Sequence, residues 1–83
     1  MTIVRHTVIL YGKKECCLCD EAMDLLQKVN ASLPFELKKI DISTDPALLE
    51  EFGLIIPVIF VDGTQAFKYR VNERKLRSML TDR

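Results

Sequence analysis

The sequence has no tryptophan, one histidine and no apolar run of membrane-spanning length. A membrane helix needs roughly 18 consecutive apolar residues, and the longest apolar stretches fall far short of that, so we expect no membrane partner. The 12 basic and 12 acidic residues give a formal net charge of zero, which removes the electrostatic basis for binding nucleic acid. The first residues lack a signal-peptide pattern, and we therefore expect a cytoplasmic protein.

The chain is also short. Its 83 residues leave room for one domain with a modest hydrophobic core. Hydrophobic residues make up 48% of the chain, a share that excludes a disordered polypeptide. We expect residues 1–83 to form a single domain and that domain to be a monomer.

Cysteine is scarce but concentrated, because all three cysteines lie between positions 16 and 19. Cysteines crowded in this way cannot cross-link a secreted domain, and in the cytoplasm such clustering indicates a metal or redox site. Cys16 and Cys19 have two residues between them. The apolar run Val8–Tyr11 precedes them, and the amphipathic stretch Leu18–Val29 overlaps and follows them. A strand, a short turn, a Cys-x-x-Cys pair and a helix, in that order, predict a dithiol redox site.

The predicted position of Cys16 at a helix start favours its thiolate, which is the nucleophile in disulfide exchange. Unpaired backbone N–H groups and the positive end of the helix dipole both attract an anion there. Lys13 and Lys14 add positive charge, and Glu15 opposes them. Cys19 lies three positions later on the same helix face, so it can resolve a mixed disulfide formed by Cys16.

Other interpretations of the cysteines stay open at this point. A zinc site would have three thiols here, whereas closed structural sites usually take four ligands, and the single His6 falls in a predicted strand. Cys17 should point about 100° around the helix from Cys16. It is either a buried structural thiol or a third redox partner. A further alternative is that the cysteines are inert.

The remaining patterns predict alternating strands and helices. The predicted strands cover residues 7–11, 35–42, 54–61 and 65–69, and the helices cover 18–29, Asp45-Pro46 to Gly53, and the residues after Asn72. The first strand, helix and strand should form a right-handed βαβ unit with parallel strands. Asp62-Gly63 predicts a tight hairpin turn. A change in the apolar alternation at Lys39 predicts a bulge or bend in the second strand.

Three groups of residues in this order resemble the glutaredoxin-like branch of the thioredoxin superfamily, and above all its short bacterial-type members. They are Leu10-Tyr11 leading into Cys16–Asp20, Ile56-Pro57 before a strand, and Val61-Asp62-Gly63. The resemblance covers Thr7 to Leu80. It implies an α/β chain with a compact thioredoxin-like fold, of element order β-α-β-α-β-β-α. In that fold a four-stranded mixed sheet is flanked by helices.

The same resemblance implies roles for particular residues. Cys16 would be the nucleophile and Cys19 the resolving cysteine. Pro57 would be a cis-proline facing the dithiol, and Ile56 would offer its backbone N–H and C=O to an extended substrate peptide. A lysine of the family that meets a glutathione carboxylate is matched by Lys13 or Lys14.

The chain departs from the family in three places. Cys17-Leu18 stands where many glutaredoxins have Pro-Tyr. The lack of tryptophan before the cysteines argues against a thioredoxin proper. After Gly63 the chain lacks the Gly-Gly and acidic residue with which glutaredoxins hold glutathione, although Arg70 could take a carboxylate. The usual glutathione motif is therefore incomplete.

These observations favour a thiol–disulfide oxidoreductase or electron carrier that uses a Cys16–Cys19 dithiol–disulfide couple. We expect no tightly bound cofactor. The expected substrate is a disulfide in a partner protein or a small thiol, and the expected reductant is glutathione or a system of the thioredoxin-reductase type. Two alternatives remain. One is a redox-inactive module that binds peptides in the Ile56-Pro57 groove, and the other is an iron–sulfur or metal carrier that uses Cys16 and an external thiol.

Overall fold

The computed structural model describes residues 6–81, in which strands and helices alternate as the sequence predicts. The elements are β1 (Thr7–Gly12), α1 (Cys17–Ser32), β2 (Glu36–Asp41), α2 (Pro46–Phe52), β3 (Val58–Val61), β4 (Thr64–Lys68) and α3 (Glu73–Thr81). A single 3₁₀ turn, Ile42–Thr44, connects β2 to α2. Within residues 6–81, no helix has both the length and the apolar content to span a membrane.

The four strands form one mixed sheet in the order β2-β1-β3-β4. β1 pairs with β2 in parallel and with β3 in antiparallel fashion, and β3 pairs with β4 in antiparallel fashion. β1 is therefore a central strand with neighbours on both sides, as its continuous apolar sequence predicts. The predicted fold class, the element order and the parallel βαβ unit are confirmed.

Both faces of the sheet are covered by apolar side chains. One cluster joins the sheet to α1 and α3, and Leu10, Leu26, Ile59 and Leu76 are its fully buried centre. A smaller cluster on the other face is built around Phe52 of α2 together with residues of the sheet and of the 3₁₀ turn. The sheet therefore lies between two apolar layers, and its edges carry the loops.

The bulge predicted at Lys39 is wrong. β1 and β2 pair without a break from Thr7 opposite Glu36 to Gly12 opposite Asp41. The change in alternation has another cause: Leu37 packs into the larger cluster, and Ile42 is buried in the smaller one on the opposite face. Ile42 lies beyond β2, in the 3₁₀ turn, while β2 itself is a partly exposed strand at the edge of the sheet. The register irregularity lies instead in the β3–β4 pair, between Ile59 and Phe60.

The strand predicted over residues 54–61 is also shorter than expected. It begins at Val58, because residues 53–55 form a turn and the bond between Ile56 and Pro57 is cis. The cis form that the resemblance implies is thus confirmed. Proline has no N–H to give to a sheet ladder, and here it lies just outside the strand.

The hairpin turn between β3 and β4 closes the sheet at the end far from the cysteines. Asp62 and Gly63 both have positive φ, 53° and 84°, as a two-residue turn of this kind requires. The Asp62 carboxylate accepts the backbone N–H of Thr7 at 2.9 Å and contacts Nδ1 of His6 at 2.5 Å. Both contacts hold the pKa of Asp62 below its usual value, and the hydrogen bond from Thr7 has a larger effect than the one with His6. His6 therefore belongs to this turn and lies the length of β1 away from the cysteines.

Helix α1 is held to the sheet by a single buried row of side chains. The buried residues of α1 are spaced at helical intervals and lie on one face of the helix, which packs against the core. They are Cys19, Ala22, Leu26 and Val29. Cys19 is the first member of that row. The packing of α1 therefore also decides where the second cysteine lies.

We expect Leu26→Ala to lower the free energy of unfolding by about 3 kcal/mol, because it leaves a cavity beneath α1 where Leu26 is fully buried. Denaturant unfolding measures this change. The exposed neighbour Gln27 provides a matched control, since Gln27→Ala should change the same quantity by no more than about 0.5 kcal/mol. Equal effects from the two substitutions would contradict the described packing of α1.

Candidate functional site

Cys16 lies at the N-terminus of α1, as the sequence predicts. It is the N-cap residue, with φ −112° and ψ 112°, and its Sγ accepts the backbone N–H of Cys19 at 3.3 Å. Its side chain is partly exposed. Glu15, at φ 60°, turns the chain from β1 into the helix. A backbone donor aimed at an accessible sulfur stabilises a negative charge on that sulfur.

Cys19 is fully buried, and its environment is the opposite of that of Cys16. The pKa of the Cys19 thiol is raised from an ordinary value of 9.0 to about 11. Burial is the main cause, and a hydrogen bond to the Cys16 side chain is the second. The backbone of Lys13 and the charge of Lys39 act in the other direction. At neutral pH Cys19 therefore keeps its proton, and its side chain lies within hydrogen-bond reach of the Cys16 sulfur.

Cys17 is exposed, so of the two interpretations of this residue the buried structural thiol is wrong, while the third redox partner stays untested. All three cysteines are free thiols in this structure. Within residues 6–81, no group of three or more histidine, cysteine, aspartate or glutamate side chains is placed to hold a metal ion. The three cysteines therefore differ in exposure, and only Cys16 and Cys19 share a hydrogen bond.

Pro57 lies close to this pair because of the sheet register. Tyr11 is paired with Val58, so the next residues outward, Gly12 and Pro57, lie on neighbouring strand ends about 5 Å apart. Pro57 is buried, and its carbonyl accepts the N–H of Tyr69 at 2.8 Å. Ile56 is partly buried, and within residues 6–81 its N–H and C=O have no main-chain partner. The structure thus places Ile56 and Pro57 at the same sheet edge as the cysteines.

The two predicted lysines also lie at this edge, with different exposure. Lys13 is partly buried directly after β1, and Lys14 is exposed. Hydrogen bonds from Ser43 hold the pKa of Asp41 below its usual value, and the nearby charges of Lys14 and Lys39 lower it further. Lys14 and Lys39 are therefore close enough to Asp41 for their charges to act on it, near the loop that leads to Cys16.

The sequence did not reveal a cavity of about 150 Å³ along α1. Its walls are one face of α1, from Leu18 to Leu25, and residues 69–71 after β4. Arg70 and Glu21 lie 3.9 Å apart at its rim. Leu18, one of the lining residues, stands between Cys17 and Cys19 in the sequence. Of the lining residues, the sequence pointed to Arg70 alone. A cavity between α1 and the end of β4 depends on how the fold brings these elements together.

Two large apolar side chains near this cavity are conspicuously exposed. Leu54 is 95% exposed and Tyr69 is 44% exposed, and the Tyr69 hydroxyl lies 3.5 Å from the Leu54 carbonyl. Tyr69 also has a positive φ of 68°, which is unusual for a bulky residue. These side chains form an apolar border next to Ile56.

Comparison with known proteins identifies relatives of the whole domain. The family model described as the glutaredoxin-like domain (DUF836) matches residues 7–81. Proteins of Mycobacterium bovis and Mycobacterium tuberculosis, both described as uncharacterized, are 29% identical to this chain. The match covers 89% of this chain and 81% of theirs.

Solved structures show the same fold. Protein Ne2328 of Nitrosomonas europaea superposes with a TM-score of 0.81 at 21% identity, covering 95% of both chains. Protein XcR50 of X. campestris gives 0.75 at 26% identity, covering 92% of this chain and 97% of its own. Thioredoxin-2 of a malaria parasite gives 0.71 at 17% identity, covering 95% of this chain and 84% of its own.

The fold is therefore thioredoxin-like, and its cysteine-rich loop at a helix start indicates a redox-related function. The family model spans all seven strands and helices as well as the cysteine pair. The chain belongs to the glutaredoxin-like domain family.

Proposed function

We propose that this protein is a thiol–disulfide oxidoreductase in which Cys16 is the nucleophile and Cys19 resolves the mixed disulfide. The observation that carries the proposal is the asymmetry of the pair. The partly exposed Cys16 sulfur accepts a backbone N–H at 3.3 Å, while the buried Cys19 thiol stays protonated beside it. An accessible sulfur that accepts a backbone donor, next to a protected thiol, is the arrangement that two-step disulfide exchange needs.

In the first step, the Cys16 thiolate attacks one sulfur of a substrate disulfide. The substrate S–S bond breaks, a bond forms between Cys16 and the attacked sulfur, and the other substrate sulfur leaves as a thiolate. The N–H of Cys19 donates to the sulfur of this nucleophile at 3.3 Å. The exposure of Cys16 lets the substrate approach from solvent.

In the second step, Cys19 gives up its proton and attacks the sulfur of Cys16. The mixed disulfide breaks, the substrate leaves as a thiolate that takes up a proton, and a Cys16–Cys19 disulfide forms. The substrate has gained two electrons in total, and the protein has lost them. Burial keeps Cys19 from attacking outside disulfides, so its reaction is directed to Cys16.

The substrate we propose is a disulfide in an extended polypeptide or in a small thiol. The unpaired N–H and C=O of Ile56 suit the backbone of an extended segment, which would pair with them beside Pro57. Lys13 and Lys14 would attract anionic groups of a substrate or reductant. Return of the protein to its dithiol form requires glutathione or a reductase of the thioredoxin-reductase type, and coupled assays with each reductant distinguish them.

Substitution of each cysteine in turn tests the two roles. We expect Cys16→Ser to abolish reduction of a model disulfide, since no accessible thiolate remains at the helix start. Cys19→Ser should still form a mixed disulfide with the substrate but fail to release it, and mass spectrometry detects that adduct. Cys17→Ser is the matched control and should keep most of the activity. Full activity of Cys16→Ser would overturn the proposal in favour of a redox-inactive binding module.

The protonation of Cys19 predicts how stability depends on pH. Its pKa is about 11 in the folded protein and near 9.0 when unfolded, so its contribution is complete below pH 9.0 and is lost as pH rises through about 11. The loss should be on the order of 2 kcal/mol. Denaturant unfolding of the reduced protein across this interval measures it.

Cys19→Ala is the control for this measurement, because it lacks the buried thiol and keeps every other titrating side chain. The difference in unfolding free energy between wild type and Cys19→Ala should shrink as pH rises. Parallel curves for the two proteins would show that Cys19 is not a buried neutral thiol.

A further inference from the structure

Gly12 ends β1 directly against the buried sulfur of Cys19. A Cβ atom added at Gly12 would lie 2.7 Å from Cys19 Sγ, 3.3 Å from Cys19 Cβ and 3.1 Å from Cδ2 of Leu10. Ordinary contacts between such atoms are roughly 3.5–4.0 Å. The sulfur therefore occupies space that any residue other than glycine would fill.

Backbone conformation does not explain the glycine. Gly12 is in a regular strand opposite Asp41, and of the three glycines only Gly63 has a positive φ. Glycine inside a strand weakens the strand, because it loses more conformational freedom on folding than other residues. The physical reason for glycine at this position is the space it leaves for the sulfur.

The Cys19 sulfur has little freedom to move elsewhere. Cys19 lies on the buried row of α1, so its backbone is fixed by the packing of the helix, and its side chain has a single torsion. One of the three staggered positions of that torsion is disfavoured in a helix. An added methyl at Gly12 would therefore shift the sulfur by roughly 1 Å or turn it to another rotamer. Either change alters its placement relative to Cys16.

We propose that Gly12 is a positioning residue for the resolving step, because its lack of a side chain leaves the space in which the Cys19 sulfur faces Cys16. We call this space the cradle. The floor of the cradle is the backbone at Gly12 and Lys13. The Lys13 backbone lowers the pKa of the Cys19 thiol, which offsets part of the effect of burial. The close approach of this backbone thus helps Cys19 to lose its proton when it attacks. This inference rests on the proposed function and assigns Gly12 to its second step.

The test separates the two steps with dithiobis(nitrobenzoate), a disulfide that releases a coloured thiolate each time it is cleaved. The background is Cys17→Ser, which removes the exposed third thiol. Attack by Cys16 releases the first thiolate at a rate proportional to reagent concentration. Attack by Cys19 on the mixed disulfide releases the second thiolate at a rate that does not depend on reagent concentration. A background protein that releases no second thiolate would overturn the proposed function itself.

In that background we expect Gly12→Ala to slow the concentration-independent step at least tenfold and to leave the first step within about twofold. A displacement near 1 Å at a reacting atom commonly costs this much or more. Val61→Ala is the control for lost stability, because Val61 is buried opposite Val8, at the end of the sheet away from both sulfurs, and it should leave both rates unchanged. Equal rates in Gly12→Ala and its background, or equal slowing by Val61→Ala, would overturn the inference while the proposed function stands.

A double-mutant cycle keeps the test decisive if Gly12→Ala folds poorly. In a Cys19→Ala background the sulfur is absent, so Gly12→Ala should then cost far less unfolding free energy than it does in wild type. Folding of the double variant where Gly12→Ala alone fails supports the cradle. The same loss in both backgrounds would show that something other than the sulfur excludes the methyl, and would overturn the inference.

Discussion

The hydrogen bond from the Cys19 amide to the Cys16 sulfur is the contact on which the rest of the site depends. It exists because α1 begins at Cys17, so that the first turn of the helix presents its unpaired N–H groups to the residue before it. The same turn carries Cys19 inward to the sheet. One helix start therefore produces both an accessible sulfur that accepts a backbone donor and a buried thiol beside it.

The position of that helix start is fixed by the sheet. β1 is paired on both sides, and its last residue, Gly12, lies where the chain turns into the cysteine loop. β3 brings Pro57 to the neighbouring strand end, and the N–H of Tyr69 ties Pro57 to the end of β4. Three segments that are distant in sequence thus meet around the cysteines because they end at the same edge of one sheet.

Much of this was predictable because it is encoded locally. Apolar periodicity placed the strands and helices, and Asp45-Pro46 predicted the start of α2, where the Asp45 side chain accepts the N–H groups of Ala47 and Leu48. The interpretation failed where a side chain's environment depends on a distant element. The alternation around Lys39 suggested a bulge or a bend, since the sequence does not show that β2 ends at Asp41 and that Leu37 and Ile42 pack into different clusters. Cys17 could be assigned to either face until the orientation of α1 was known.

The sequence by itself determined the order of the elements, the spacing of Cys16 and Cys19, and the position of that pair at a helix start. These follow from intervals of a few residues, which strand and helix geometry convert directly into structure. Tertiary structure alone decided that Cys19 is buried, that its sulfur fills the space at Gly12, and that a cavity opens between α1 and residues 69–71. Burial and close contact arise between segments far apart in the chain, so they are fixed only when the sheet and helices pack together.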